Sequence, residues 1–78
     1  STRTAGEFAD DAQIAAMVKL NLWDDPEVKG WQIKVSSVRA IVTLEGRVPS
    51  EYAREKAIRI AKETGSVVGV EDRLSIVN

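Results

Sequence analysis

A chain of 78 residues has room for one domain, and its content of 44% hydrophobic and 29% charged residues is typical of a soluble globular protein. The sequence has no cysteine and no histidine, which excludes disulfides, thiolate nucleophiles, Cys/His zinc sites and imidazole acid–base chemistry. The net charge is −1, and neither half of the chain carries the single-sign charge of a nucleic-acid binder.

The N-terminal segment differs from the rest of the sequence. Residues 1–6 are small and polar and have no apolar period, which predicts a flexible tail. Residues 7–78 are expected to form a single domain, since they contain no internal repeat and no low-complexity segment.

A first helix is predicted from about residue 11. Ile14, Val18 and Leu22 recur every four residues, which is the spacing of one buried helix face. Pro26 disfavours helix in the residue before it, so we expect the helix to end at residue 22 or 23.

Two strands are predicted after Gly30, because the apolar period changes there from four to two. Trp31, Ile33 and Val35 alternate with polar residues, which predicts a strand with these three side chains in the core. A second strand is predicted over residues 41–48. The connection lacks the Asn-Gly or Asp-Gly of a tight hairpin, so the sequence predicts a hairpin without indicating its turn type.

The segment from Ser50 to Gly65 carries the clearest helix signals. Ser50 is a good N-cap and Gly65 a natural C′ residue. Alternation over residues 70–77 then predicts a last strand. The resulting order is α-β-β-α-β, an α+β fold in which two helices pack on one face of a three-stranded sheet, because that arrangement buries every apolar stripe.

These segments, in this order, resemble the BON domain, a bacterial module named for an osmotically inducible protein and nodulation. The similarity covers about residues 11 to 77, and "VTLEGRV" at residues 42–48 is its sharpest part. The matching patterns are Asp11-x-x-Ile14-x-x-x-Val18-x-x-x-Leu22-x-x-Asp25, then Ile33-x-Val35, then residues 42–48, then Ala57-x-x-x-Ala61, and finally "VEDRL" at residues 70–74.

The resemblance implies an αββαβ fold and a non-enzymatic module. It also implies a periplasmic or envelope-associated location and binding to phospholipid membranes or other envelope components. The chain departs from the family at two turns. It has Arg39-Ala40 where the family usually has Gly in the first hairpin turn, and Ser66-Val67 where the family favours Gly-Val.

Catalysis has little support in the sequence. Asp24, Asp25 and Glu27 form an acidic cluster, but carboxylates so close in sequence usually cap a turn. The cluster lacks the alternating ligands and the sixth-position Gly of a calcium loop, and the chain has no Gly-x-Ser-x-Gly elbow and no phosphate-binding Gly pattern. We therefore interpret these acids as structural and expect no enzyme, no metal and no cofactor.

The two tryptophans flank this acidic loop, and they differ in their predicted environment. Trp31 is in phase with the buried residues of its strand and is expected in the core. If the first helix persists to Trp23, that side chain lies about 180° from Ile14 and faces away from the buried stripe. If the helix frays at Leu22, the ring can cover the loop. Trp23 is therefore either a lid or an anchor at a membrane interface.

The second helix carries a candidate membrane-binding ridge. Arg54 and Lys62 lie four residues before and after Ile58, so the three side chains share one side of the helix. An isoleucine between two cations suits a phospholipid surface, because the cations meet phosphates while the isoleucine enters the headgroup boundary. The structural alternative is an ordinary exposed isoleucine covered by the stems of its basic neighbours.

Two functions follow from these patterns. The first is weak phospholipid binding through Arg54, Ile58 and Lys62, with Trp23 as a possible anchor. The second is a protein-interaction or structural module that packs against a neighbouring envelope protein or domain, or against its own copies.

Overall fold

The order of elements is the predicted one. The computed structural model describes residues 10–77, so the predicted tail at residues 1–6 lies outside the described residues and its boundary with the domain stays a prediction. The elements are helix α1 (Asp11–Trp23), a short 3-10 helix (Gly30–Gln32), strand β1 (Ile33–Val38), strand β2 (Ile41–Val48), helix α2 (Glu51–Glu63) and strand β3 (Gly69–Ile76).

The three strands form one mixed sheet in the order β1-β2-β3. Strands β1 and β2 are antiparallel, with Val38 opposite Ile41, whereas β2 and β3 are parallel, with Ile41 opposite Gly69. A parallel pair needs a crossover connection, and α2 supplies it. The predicted α+β fold is thereby confirmed.

Both helices pack on one face of the sheet and share one core. The side chains of this core are large in α1 and small in α2, where the three alanines let the helix lie close to the strands. The buried apolar residues are Ile14, Val18 and Leu22 of α1, Val28 of the following loop, Ile33 and Val35 of β1, Val42, Leu44 and Val48 of β2, and Ala53, Ala57 and Ala61 of α2.

The helices begin at side-chain caps. The carboxylate of Asp10 accepts a hydrogen bond from the backbone N–H of Gln13, and the Gln13 side chain in turn accepts one from the Asp10 backbone, which completes a capping box. The Ser50 hydroxyl accepts from the backbone N–H of Ala53, as the sequence predicted.

The β1–β2 turn has the geometry of a tight hairpin although it contains no glycine. Arg39 and Ala40 both have positive φ, 53° and 65°, as a type I′ turn requires. One carboxylate holds them there: that of Asp11 accepts from the backbone N–H groups of Arg39 and Ala40, each at 2.9 Å, and from the Ser37 hydroxyl at 2.8 Å. Long-range hydrogen bonds therefore stabilise a conformation for which glycine would normally be selected.

Two sequence expectations are corrected by the fold. Trp31 does not face the core, because β1 begins only at Ile33 and Trp31 lies in the 3-10 helix before it, with 60% of its surface exposed. Gly65 follows the C-cap of α2 as predicted, but the left-handed conformation falls on the next residue, Ser66, with φ of 74°. The helix ends instead through Thr64, whose hydroxyl donates to the Ile60 carbonyl oxygen.

Candidate functional site

Three large apolar side chains remain exposed at one end of α1. Leu20 and Trp23 lie three residues apart, outside the buried stripe of the helix, and they are 64% and 56% exposed. Trp31, from the 3-10 helix, is also mostly exposed. We call Leu20, Trp23 and Trp31 the tryptophan surface.

Gly30 brings the two tryptophans to the same end of the molecule. Its backbone is buried against the end of α1, and a Cβ atom at this position would lie 2.8 Å from the Trp23 ring atom Cδ1 and 2.8 Å from the backbone of Leu22. The Trp23 ring therefore rests on the residue that directly precedes Trp31. The helix persists to Trp23, so this side chain faces away from the stripe, while its ring also covers the backbone of the loop.

A second close approach fixes the position of the 3-10 helix against β2. Gly46 has φ of 130°, and a Cβ atom there would lie 2.2 Å from the carbonyl oxygen of Gln32. Any larger residue at this position of "VTLEGRV" would push the turn away from the sheet. The motif shared with the BON domain thus positions the turn that carries Trp31.

The acidic loop is tied to α2 by one lysine. The Lys56 ammonium lies 2.8 Å from Asp25 Oδ2 and 2.7 Å from Glu27 Oε1, and it sits 5.7 Å from the centre of the Tyr52 ring. The Tyr52 hydroxyl donates to Glu27 at 3.3 Å. The hydrogen bond from Lys56 lowers the pKa of Asp25 and of Glu27, and the bond to Asp25, followed by that to Glu27, raises the pKa of Lys56.

These shifts suit a structural clamp. A carboxyl group that acts as a general acid at neutral pH needs a raised pKa, and a lysine that acts as a general base needs a lowered pKa. The pKa values of Asp25 and Glu27 are lowered and that of Lys56 is raised, so all three shifts have the opposite sign. An open groove of about 530 Å³ runs past these residues between the end of α1 and α2. Over residues 10–77 no group of acidic side chains is arranged to hold a metal ion.

The α2 ridge has a different environment from the tryptophan surface. Arg54 donates to both carboxylate oxygens of Glu51, at 3.2 and 2.9 Å, and also pairs with Asp72 of β3. The hydrogen bond to Glu51 is the main cause of the raised pKa of Arg54. Ile58 is half-buried and packs against the core. Lys62 is exposed. The ridge therefore presents one exposed cation, one cation engaged in ion pairs and a partly covered isoleucine.

The sequence analysis did not identify two residues of these surfaces, Leu20 and Asp72. Leu20 falls on the same outer side of α1 as Trp23, so a helical projection of residues 11–23 identifies it. Asp72 has no such signal, because its contact with Arg54 joins residues 18 positions apart through the packing of α2 on β3.

The outer face of the sheet carries paired charges. The register places Lys34 opposite Glu45, and Glu45 in turn opposite Arg73, so opposite charges alternate across the three strands. The Thr43 hydroxyl also donates to Glu71 at 3.3 Å. Opposite charges at facing positions stabilise a sheet, and this accounts for the charges on this face. Among residues 10–77, no helix has the length and apolarity that crossing a membrane requires.

Comparison with known proteins identifies the same family as the sequence patterns. The model of the BON domain family matches residues 10–78. The osmotically-inducible protein Y of Escherichia coli (strain K12) is 37% identical over 76 residues, which are 97% of this chain and 38% of that protein. The chain therefore spans less than half the length of this relative.

Proposed function

Because this chain belongs to the BON domain family, we propose that it is a non-enzymatic binding module of the bacterial envelope that makes weak contacts with phospholipid surfaces. The name of its relative, an osmotically inducible protein, supports a role in osmotic stress. One observation carries the lipid assignment: Leu20, Trp23 and Trp31 expose more than half of their surface at one end of the molecule.

The chemistry of the tryptophan surface fits a bilayer interface. Tryptophan concentrates at the headgroup level of membranes because its ring is apolar and its N–H is polar. Lys19 and Lys29 are exposed on the same helix end and on the adjoining turn, and neither has an ion pair within residues 10–77. Each such cation contributes about 1 kcal/mol near an anionic surface. A single domain would therefore bind weakly, and tight binding requires a second module.

The α2 ridge is the second candidate surface for the same function. For Arg54 to contact a lipid phosphate it must give up Glu51 or Asp72, and Ile58 must leave part of its packing. Lys62 carries no such cost, since it is exposed. We therefore place the tryptophan surface first and keep Arg54, Ile58 and Lys62 as the site to be tested against it.

Intrinsic fluorescence tests the tryptophan surface directly, because the chain has two tryptophans. In Trp31→Phe the emission reports on Trp23, and in Trp23→Phe it reports on Trp31. We expect both variants to show a blue shift with vesicles of phosphatidylglycerol, and a smaller one with phosphatidylcholine. Replacing Leu20 with Glu should weaken vesicle binding at least about tenfold, since a carboxylate would enter the headgroup boundary.

Two further variants separate the surfaces. Val68→Glu places the same carboxylate on an exposed apolar residue outside both surfaces and is the matched control for Leu20→Glu. Lys62→Glu reverses the exposed charge of the ridge. Binding that falls with Lys62→Glu and not with Leu20→Glu would move the lipid site to α2. Absence of any shift with either lipid would contradict lipid binding and leave a protein-interaction module.

A further inference from the structure

Strand β3 has one edge without a strand partner. Within residues 10–77 it pairs only with β2, and it runs for eight residues, Gly69–Ile76, at the end of the sheet. The backbone N–H and C=O groups along such an edge can pair with another strand, and proteins commonly protect them.

A side chain occupies this edge at its centre. The backbone N–H of Leu74 donates to Oδ1 of Asp72 at 3.0 Å, so a carboxylate takes a donor that an incoming strand would use. The other oxygen of Asp72 pairs with Arg54, which Glu51 holds from the other side. The blocking carboxylate is therefore fixed in place by α2.

The apolar row beside this edge is incompletely covered. Val70 and Leu74 face the helices but are half-buried, and Ile76 is 43% exposed. Ile58 lies one turn beyond Arg54 on α2 and is also half-buried. A strand added to β3 would extend the sheet and bring further apolar side chains against these four.

We propose that β3 is a pairing edge for a second copy of this chain and that Asp72 keeps it closed. Antiparallel pairing about a two-fold axis at Asp72 places Glu71 opposite Arg73 twice, so the outer faces have complementary charges. The same register places Val70 opposite Leu74. A register centred on Arg73 would bring two arginines together and lose that complementarity.

The same register disfavours pairing of the intact chain. It brings the two Asp72 side chains to the axis, where two carboxylates repel each other, and each also occupies the Leu74 N–H of its own chain. Since α2 packs over β2 and β3, the two α2 helices would meet across the axis, near Ile58. Removal of Asp72 therefore frees the edge without removing the complementary pairs beside it.

Sedimentation equilibrium of Asp72→Ala tests whether the carboxylate closes the edge. We expect self-association at least about tenfold tighter than in the unmodified chain. Asp24→Ala is the matched control, because it removes an exposed carboxylate at the C-terminal end of α1, outside β3. A folded Asp72→Ala that stays as monomeric as the control would overturn the assignment, and circular dichroism establishes that it is folded.

Cysteine cross-linking tests the register, and the chain offers a clean background because it has no cysteine. Residues opposite each other in an antiparallel pair have Cα atoms about 4.5–5.5 Å apart, within the range of a disulfide. Asp72→Cys should form disulfide-linked dimers on mild oxidation, whereas Ser75→Cys, whose copies would lie far from the axis, should not. Equal cross-linking of both, or none in Asp72→Cys, would contradict the proposed pairing.

Discussion

The two helices cover the same sheet by different means. Helix α1 buries large side chains and also exposes Leu20 and Trp23, so it is apolar on more than one side. Helix α2 buries three alanines and partly buries Ile58 and Ile60. Its outer side is mostly charged, with Arg54 and Lys56 held in ion pairs. The core accounts for the aliphatic residues of α2, whereas Leu20 and Trp23 on the outer side of α1 lie outside it. This surplus on α1 is the basis of the proposed membrane contact.

The two helices are also tied to the chain differently. Asp11 of α1 accepts hydrogen bonds from the hairpin turn, whereas Lys56 of α2 lies between two carboxylates of the acidic loop. The first tie satisfies backbone donors and fixes a strained turn. The second joins partly exposed side chains at the surface, where ion pairs contribute little.

The largest effect is expected where α1 fills the core. Leu22→Ala should lower the free energy of unfolding by about 2–5 kcal/mol, because it leaves a cavity among fully buried side chains. Leu20→Ala, two residues earlier on the same helix, should change it by less than about 0.5 kcal/mol. Urea denaturation of both variants measures the difference. If both variants lose a similar free energy of unfolding, Leu20 contributes to the core and is not available for the proposed surface.

The second-largest loss of stability is expected where α2 lies close to the sheet. Ala57→Leu should destabilise the protein by about 1–3 kcal/mol, since the buried helix face has no room for three further carbons. Ala16→Leu is the matched control, an exposed alanine of α1 that accepts a leucine at little cost. Thermal denaturation compares the two. If Ala57→Leu is tolerated as well as the control, small size is not what brings α2 to the sheet.

The smallest of the three effects on stability is expected at the β1–β2 turn, and it depends on pH. The hydrogen bond from the Ala40 backbone, with those from Ser37 and the Arg39 backbone, lowers the pKa of Asp11 below its ordinary value of 3.8. A lowered folded-state pKa stabilises the protein above the unfolded value, and this contribution is lost as pH falls through the folded one. Asp11→Ala should therefore be less stable than the unmodified chain at pH 7, with a difference that shrinks on the acid side of about pH 4.

Denaturant titrations at several pH values measure this prediction, and the control is Asp24→Ala, which removes an exposed carboxylate at the other end of α1. A difference between Asp11→Ala and the unmodified chain that stays constant into acid would mean that the carboxylate charge does not hold the turn. An unchanged stability at neutral pH would show that Arg39 and Ala40 keep their positive φ without it.

Local sequence patterns predicted most of the fold. The four-residue spacing from Ile14 to Leu22 identified α1, the N-cap Ser50 identified α2, and the alternation in residues 41–48 identified β2. These signals are reliable because burial against one side of an element imposes a period that each element carries within itself. The same reasoning failed at Trp31, where two residues of apparent alternation belong to a turn that precedes the strand.

The sequence by itself determined the order of elements, the buried stripes of the helices and the family. The tertiary structure decided the exposure of Trp31, the clamp of Asp11 on the hairpin turn and the contact of Arg54 with Asp72. The Asp11 clamp and the Arg54–Asp72 contact depend on how distant segments pack, since each joins residues 18 or more positions apart. A periodic pattern reports which side of an element is buried, but only packing and strand register determine which residues of different elements meet.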